Sequence, residues 1–377
     1  MPFVAPTFEE PPVRVGMMLY TLIEPHPGRH RDYNRWYERD HFYSGVMTLP
    51  GTLSGQRWVA TPALKALRLP PASAVVPDPV RGSFLTTYYV DAERIPEWDA
   101  EASAAVPSLG AAGRLWPERD HVLTRFVDFA HAVYRDADPV PAVQTLEHRY
   151  PGLVTVVGRG ADGASRAATL AALHDDIGPA ALGGSPVAVV LTFTMRPFEG
   201  DRPPDLPVEP DPETRFLQLW FVETPPDEVW ADTFAPLAER FADDPRVELE
   251  WMGGFVPTVP GTDTHVDAPD PRSVVVEYFR RVRARDPRLT ELFADDACLV
   301  GLGTRTEGRD AIDAFYAEVN AVQAPVPTPR GPLLAHGNRV AAEIDISVAG
   351  GPDVHVIDLF EVVDGRITQL TYFLADH

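Results

Sequence analysis

The 377-residue sequence is poor in two reactive side chains, cysteine and lysine. Its single cysteine, Cys298, excludes an internal disulfide bond and a thiolate metal cluster, and its apolar neighbours favour a buried, unreactive thiol. Its single lysine, Lys65, lies in a plain Ala-Leu-Lys-Ala-Leu segment, so Schiff-base chemistry is not expected. Covalent catalysis by a thiol or an amine therefore has no strong candidate residue.

Long apolar runs are also missing. No run approaches the ~20 residues that a membrane-spanning helix needs, and the start, Met1-Pro-Phe-Val-Ala-Pro, lacks the basic-then-apolar pattern of a signal peptide. We therefore expect a cytoplasmic protein. The formal net charge of −22 disfavours nucleic acid and membrane surfaces as partners.

The usual cofactor motifs are absent from the sequence as well. It contains no complete phosphate-binding glycine loop, no paired-histidine metal motif and no Gly-x-Ser-x-Gly nucleophile elbow. We therefore predict no metal and no redox cofactor.

What the sequence does contain is ample material for packed cores, since 45% of its residues are hydrophobic. Its length predicts two or three domains at ~150 residues each. Residues 1–140 show a β-α-β-β-α-β order, and residues 141–262 show it again. This order is typical of the ferredoxin-like plan, so we predict two fused ferredoxin-like repeats that form one intramolecular α/β barrel.

A motif in the first repeat supports the barrel. The stretch Asp32-Tyr-Asn-Arg-Trp-Tyr-Glu-Arg-Asp-His41, followed by Leu49-Pro-Gly51 and Gly55-Gln-Arg57, resembles the EthD-like branch of the dimeric α/β-barrel superfamily. The resemblance implies a cleft lined by His41, and chemistry of a cofactor-free oxygenase or lyase using His41 and Tyr37. The second repeat has Ile177 where His41 falls. Alternatively, His41 only ends a helix, where an imidazolium is favourable.

The last part of the chain has a different plan. Residues 263–272 have the composition of a linker, and residues 273–377 read as three helices followed by a curved antiparallel sheet. In its last hairpin, the strand of residues 353–360 leads to a tight Asp364-Gly365 turn. The predicted fold class of the whole chain is therefore α+β, with a barrel of two repeats and a C-terminal cone.

Three motifs in this cone carry a second resemblance. Leu292-Phe-Ala-Asp-Asp-Ala297, Glu307-Gly-Arg-Asp-Ala-Ile312 and Val356-Ile-Asp-Leu-Phe360 resemble the SnoaL-like and ketosteroid-isomerase-like branch of the nuclear-transport-factor-2-like superfamily. That superfamily contains enzymes and proteins that only bind, so the resemblance is more specific for fold than for reaction.

Asp358 is the residue on which a functional prediction depends most. It lies between Ile357 and Leu359, and a carboxylate in an apolar strand needs a partner or a raised pKa. The resemblance implies that Tyr278 and Asp358 form an oxyanion hole, since a phenol and a neutral carboxylic acid can both donate to an enolate. Where those isomerases have their proton-shuttling aspartate, this chain has Gly301.

We therefore predict proton-transfer chemistry on a hydrophobic polyketide- or steroid-like carbonyl compound: isomerisation, cyclisation or dehydration through an enolate. A hydrophobic small molecule is the expected partner, and the sequence leaves open whether the chain forms a homodimer. The predicted apolar wall of the substrate pocket consists of Phe279, Val282, Phe315, Tyr316, Val356 and Tyr372.

Interpretations in which these residues have no catalytic role stay open at this point. Tyr278 could be a core aromatic whose hydroxyl meets a nearby carbonyl, and Asp358 could pair with a buried arginine. His355 is odd-spaced from Asp358, so it should point to the other face of the strand. A cone that only binds a ligand or a subunit is the third alternative, after the two catalytic ones.

Overall fold

A computed structural model describes residues 12–71, 73–137, 140–197, 212–265, 271–301, 303–348, 351–363 and 365–374. The chain divides into two compact units. The first comprises Met1–Glu24 and Asn34–Val266, and the second comprises Pro25–Tyr33 and Asp267–His377. Residues 266–270 of the predicted linker and Asp364 of the predicted turn lie outside the described residues.

The first unit is built on eight strands that close into a barrel. In chain order they are β1 (Val15–Pro25), β2 (Thr52–Val59), β3 (Phe84–Asp91), β4 (Arg119–Tyr134), β5 (Gly152–Gly160), β6 (Val187–Met195), β7 (Arg215–Val222) and β8 (Val247–Pro257). Around the barrel their order is β1-β3-β2-β8-β5-β7-β6-β4. Each half of the chain therefore contributes four adjacent strands in the same internal order, with the fourth strand of each half beside its first.

The connections of this unit carry its helices. The α-helices are α1 (His30–Trp36), of which only residues 34–36 belong to this unit, α2 (Pro62–Ala66), α3 (Ile95–Ala111), α4 (Arg166–Ala171), α5 (Gly178–Leu182), α6 (Pro226–Val229) and α7 (Ala235–Asp243). Short 3₁₀ turns occur at Ala142–Leu146 and Pro212–Thr214, and π-helical segments at Tyr37–Met47, Ala172–Ile177 and Trp230–Phe234. No helix among the described residues is long and apolar enough to cross a membrane.

The barrel strands of the second half are buried on both faces. Along β5, Leu153 belongs to one hydrophobic cluster with Leu191 and Leu219, whereas its neighbour Val154 packs in another cluster with Trp220. Successive side chains of a strand point to opposite faces, so a strand enclosed on both sides loses the alternation of apolar and polar residues. This explains why these strands read as continuous apolar runs.

The second unit combines two helices with a mixed sheet. Its elements are α8 (Pro271–Ala284), a 3₁₀ turn (Leu289–Leu292), β9 (Phe293–Gly301), β10 (Thr304–Glu307), α9 (Arg309–Val322), β11 (Val326–Pro329), β12 (Leu334–His336), β13 (Arg339–Ser347), β14 (Val354–Val363) and β15 (Arg366–Leu374). The strand order is β10-β9-β15-β14-β13-β11, and β12 pairs with β13.

The sheet differs from the prediction in two respects. It is not wholly antiparallel, because β9 runs parallel to β15. Parallel neighbours need a long crossover connection, and the chain between these strands supplies one that includes α9. The short strands β10, β11 and β12 were not predicted, since three or four residues are too few to show a period of two.

Candidate functional site

Helix α8 presents Tyr278 to the core of the second unit. Its buried residues are Val274, Val275, Tyr278, Phe279 and Val282, which form one stripe at helical spacing. The Tyr278 side chain is 3% exposed. The stripe therefore delivers a hydroxyl group into an otherwise apolar layer.

Strand β14 places Asp358 on the same apolar core. Val356, Asp358 and Phe360 are buried, whereas Ile357 between them is 42% exposed. In the neighbouring strands, Asp358 lies opposite Ala342 of β13 and Tyr372 of β15. The strict alternation of a strand thus points one carboxyl group inward.

His355 faces away from this carboxyl group, as its odd spacing predicted. Its Nε2 lies 2.9 Å from Oε1 of Glu343, and both ring nitrogens lie 3.3 Å from Nη1 of Arg330. His355 therefore belongs to a polar cluster on the other face of the sheet and has no direct part in chemistry at Asp358.

The carboxyl group of Asp358 is buried and has no ion-pair partner within the described ranges. The residue is 1% exposed, and its Oδ1 accepts no hydrogen bond from any described residue. Among the described residues Asp358 also forms no ion pair, so no described arginine is the partner that the alternative required. Burial raises the pKa of Asp358 from 3.8 to about 8, so the group is mostly protonated at pH 7.

Beside this acid, three phenol groups form a hydrogen-bonded chain. The hydroxyl of Tyr316, from α9, lies 2.8 Å from the hydroxyl of Tyr278 and 2.8 Å from that of Tyr372. The alternative in which Tyr278 meets a backbone carbonyl is therefore wrong. Three hydroxyl protons serve two internal hydrogen bonds, so one proton of the chain remains to be donated to an outside acceptor.

The electrostatics keep these phenols protonated. Burial raises the pKa of Tyr278 well above its usual value, and the neighbouring Tyr316, Tyr372 and Asp358 raise it further. Burial likewise raises the pKa of Tyr372 and of Tyr316, and the Asp358 carboxyl adds to both shifts. The cluster is thus a set of neutral donors in an apolar environment, where a hydrogen bond to a developing negative charge is strong.

Gly301 is confined by Tyr372. Its φ of +152° is rarely adopted by residues with a side chain, and a Cβ there would lie 2.7 Å from Cβ and 2.9 Å from the carbonyl oxygen of Tyr372. The position that matches the isomerases' aspartate therefore lacks a carboxylate and has no room for one. The packing of Tyr372 against β9 occupies that space.

The six predicted wall residues do not all have the same role. Phe279, Val282 and Val356 lie in the hydrophobic core, and Phe315 packs against it half-buried. Tyr316 and Tyr372, by contrast, are polar members of the cluster through their hydroxyl groups. Sequence reasoning missed this role, although Tyr316 lies one helical turn after the buried Ile312 and so faces the core.

In the first unit, His41 lies inside an aromatic group. Its ring stacks on Trp36 with centroids 4.4 Å apart and meets the edge of Tyr37 at 5.1 Å. The Tyr37 hydroxyl lies 3.0 Å from that of Tyr88. A Cβ on Gly45 would approach the imidazole Cε1 to 3.0 Å, so glycine leaves room for the ring.

His41 is a neutral imidazole and not a helix-ending cation. Burial lowers the pKa of His41 to about 4, with further lowering by Arg119, His121 and Arg57 against an opposing effect of Asp40. The α-helix becomes π-helical at Tyr37 and continues to Met47. The alternative of an imidazolium at a helix C-terminus is therefore wrong. Segments of π-helix often occur at functional sites.

The candidate residues thus fall into two separate groups. Tyr278, Tyr316, Tyr372 and Asp358 come together in the second unit, and Tyr37 and His41 come together in the first. Within the described ranges, no group of three or more His, Cys, Asp or Glu side chains could hold a metal ion.

Comparison with known proteins identifies the second unit more closely. Residues 275–370 match the family described as SnoaL-like domain, so this part of the chain is a SnoaL-like domain. The search of curated proteins found no match.

Three solved structures that are similar to this chain have different described activities. A candidate polyketide cyclase from Sinorhizobium meliloti is 27% identical, with a TM-score of 0.26 over 29% of this chain and 97% of that chain. A candidate ketosteroid isomerase from Kribbella flavida is 24% identical, with a TM-score of 0.26 over 28% and 78%. An LEH-like epoxide hydrolase from M. tuberculosis is 20% identical, with a TM-score of 0.26 over 28% and 82%.

Proposed function

We propose that the second unit catalyses proton transfer on a hydrophobic carbonyl compound, such as a polyketide- or steroid-like ring, through an enolate intermediate. The observation that carries this proposal is the buried carboxyl group of Asp358, whose Oδ1 has no hydrogen-bond partner among the described residues, beside the Tyr278–Tyr316–Tyr372 chain of phenols. Isomerisation, cyclisation and dehydration all begin with the same step, loss of a proton next to a carbonyl group.

In the proposed step, the ionised form of Asp358 removes the α-proton of the substrate. The C–H bond breaks, an O–H bond forms on the carboxylate, and the C–H electron pair moves toward the carbonyl oxygen. The unused proton of the phenol chain is donated in a hydrogen bond to that oxygen as its negative charge grows. Asp358 then returns the proton to another carbon or to a leaving group, which regenerates the carboxylate.

Two features favour Asp358 as the base over a purely hydrogen-bonding role. Gly301 leaves no room for the carboxylate that the isomerases use, and Asp358 is the only buried carboxyl group among the described residues. A pKa of about 8 also lies close to the pH of a cytoplasmic reaction, which is where a general base works best.

The surroundings favour an apolar substrate. Phe360 meets the Tyr278 ring edge-on at 5.0 Å, and Phe279, Val282 and Val356 belong to the same core. The phenylalanine and valine side chains form no hydrogen bonds, so the phenols and Asp358 are the polar groups in these surroundings. A ligand with one carbonyl group on a hydrocarbon frame would match that composition.

The test uses a model ketone, because proton abstraction can be measured without the true substrate. In D₂O, the full-length protein should accelerate exchange of the α-hydrogens of 2-decalone, followed by NMR, with a rate that rises with pH around an apparent pKa near 8. Asp358→Asn should lower the rate by about 100-fold or more, as expected for loss of a general base. Tyr278→Phe should lower it by at least about tenfold.

His355→Ala is the matched control, since it changes the same strand on its other face, and it should leave the rate unchanged. A rate that falls as pH rises through 8 would instead assign Asp358 the role of a neutral donor. Exchange that is the same in wild type, Asp358→Asn and Tyr278→Phe would leave the SnoaL-like domain as a binding module and contradict the proposal.

A second candidate function lies in the first unit, which we propose is EthD-like and formed of two ferredoxin-like repeats. The observation that favours it is the neutral imidazole of His41 enclosed by Trp36 and Tyr37. A neutral imidazole can accept a proton from a bound substrate, as a cofactor-free oxygenase or lyase would require.

A further inference from the structure

The first unit contains a buried cation whose hydrogen-bonding capacity is unused. The side chain of Arg57, on β2, is 7% exposed, and Nε, Nη1 and Nη2 have no hydrogen-bond acceptor among the described residues. A guanidinium group carries five N–H donors. Burying them without acceptors is costly, so an arginine in this state indicates that an acceptor from outside the chain belongs there.

The nearest carboxylate does not satisfy Arg57. Oε1 of Glu38 lies 3.6 Å from Nη1 of Arg57, beyond hydrogen-bond distance. The other oxygen of Glu38 is engaged elsewhere, since it accepts hydrogen bonds from Nη1 of Arg35 at 3.0 Å and from the backbone N–H of Gly261 at 3.2 Å. Glu38 therefore offsets part of the charge of Arg57 but leaves its donors free.

Aromatic rings define the other side of the guanidinium. Its carbon lies 4.5 Å from the centroid of the Tyr37 ring and 5.8 Å from that of Phe84. The Tyr37 ring also meets the edge of His41, which stacks on Trp36. A flat ligand body would find apolar ring surfaces here next to a fork of N–H donors.

Cationic side chains lie near His41 although the whole chain is strongly acidic. Besides burial, Arg119, His121 and Arg57 lower the pKa of His41, and Asp40 raises it. Asp40 itself is bound by Arg114. An anion placed here would be attracted by Arg57 and Arg119, and Glu38 is the neighbouring described carboxylate that would repel it.

We infer that the first unit binds a planar small-molecule carboxylate, held by the guanidinium of Arg57 with its body against the rings of Tyr37 and His41. A carboxylate matches the fork of a guanidinium through two parallel hydrogen bonds, which a single neutral carbonyl cannot provide. The site would give the barrel a ligand class different from the hydrophobic ketone proposed for the second unit. It does not depend on chemistry at Asp358.

The experiment uses the full-length protein and aromatic acids with their uncharged amides. Benzoate, phenylacetate and cinnamate are compared with benzamide, phenylacetamide and cinnamamide. The readout is the titration of His41, followed by NMR of its imidazole carbon-bound protons. A carboxylate bound beside it should raise the pKa of His41 by about one unit, since an opposite charge at this range favours the imidazolium. The amides should leave the pKa of His41 unchanged.

Two variants assign the effect to Arg57. Arg57→Gln should weaken binding of the effective acid by at least about tenfold, the loss expected for a charge-assisted hydrogen bond. Arg81→Gln is the matched control, because it removes the same charge from an exposed ion pair with Asp120. This variant should bind the effective acid with the same affinity as wild type.

Three results would overturn the assignment: an unmoved His41 titration with all three acids, equal effects of acids and amides, or equal losses in Arg57→Gln and Arg81→Gln. If Arg57→Gln does not fold, judged by circular dichroism, the comparison of acids with amides in wild type decides alone. Failure here would leave the deuterium-exchange test of Asp358 untouched, because that test has a different ligand and different variants.

Discussion

Among single residues, Asp358 is an acid that burial in the folded protein keeps protonated. The usual pKa of an aspartate is near 3.8, and burial raises that of Asp358 to about 8. Between these two values the unfolded chain has lost the proton that the folded chain keeps. Folding then takes up a proton, so stability falls as pH rises across this range.

This linkage gives a prediction for Asp358→Asn. In the wild type, the free energy of unfolding of the second unit should fall by about 1.4 kcal/mol per pH unit from this residue between pH 4 and 8, and then level off. An asparagine does not titrate, so the variant should lose that slope and be the more stable protein at pH 8. The measurement is urea unfolding at pH 5, 6, 7 and 8.

The unfolding signal should come from tyrosine absorbance, because all seven tryptophans lie at or before Trp251 and report on the first unit. Parallel pH slopes for wild type and Asp358→Asn would show that Asp358 is not held in its protonated form. The two units can also unfold separately, which is why a probe of the second unit is needed.

At the scale of elements, a β-bulge brings the phenol chain to the acid. Next to the turn, Val363 pairs with Arg366 and Val362 with Ile367, but Glu361 then pairs with Gln369. The pairing skips Thr368, whose hydroxyl donates to the carbonyl of Glu361 at 3.3 Å. With this extra residue in β15, Tyr372 lies opposite Asp358. Without it, Tyr372 would point to the other face of the sheet.

The contact between β9 and β15 is also open to test. Gly301→Ala should destabilise the second unit by about 2–4 kcal/mol, because its Cβ must displace Tyr372 in addition to adopting a rare φ. It should also slow proton exchange of the model ketone, since Tyr372 is the end of the phenol chain. Urea unfolding and the deuterium-exchange rate measure the two effects.

Gly303→Ala is the control for the backbone effect alone. Gly303 has a φ of +77°, and a Cβ there would meet nothing within 4 Å. Gly303→Ala should lower the free energy of unfolding by about 1 kcal/mol and leave the deuterium-exchange rate of the model ketone unchanged. Equal losses in the two variants would mean that the space beside Tyr372 is not what restricts position 301.

At the scale of the whole molecule, the chain contains two chemically distinct groups of residues in two compact units. The second unit has a neutral acid among phenols, and the first has a neutral imidazole near arginines. The two proposed sites therefore differ in the ligand that we propose for each: a hydrophobic ketone in the second unit and a carboxylate in the first.

One pair of variants in the full-length chain tells which unit performs proton transfer. His41→Ala should leave the deuterium exchange of 2-decalone within about twofold of wild type, whereas Asp358→Asn should abolish the enzymatic part. The converse result, with loss in His41→Ala alone, would transfer the activity to the barrel and favour the oxygenase or lyase function. The rates are measured by NMR at pH 8.

The order of strands and helices along the chain was predictable, because it depends on local periodicity. The inward position of Tyr278 and Asp358 was predictable for the same reason: a stripe at helical spacing and an alternating strand each point a side chain to one face. The SnoaL-like domain is confirmed over residues 275–370. Short strands and the π-helical continuation after Trp36 have no such local signal.

Local sequence patterns thus place a carboxyl group and a phenol in one apolar core, and they leave position 301 without a side chain. Their surroundings follow from the three-dimensional fold: among the described residues Asp358 meets no cation and the N–H groups of Arg57 have no hydrogen-bond acceptor, and Tyr316 links Tyr278 to Tyr372. These outcomes depend on register and on contacts between residues far apart in the chain. A one-residue bulge changes them while leaving the pattern of either strand intact.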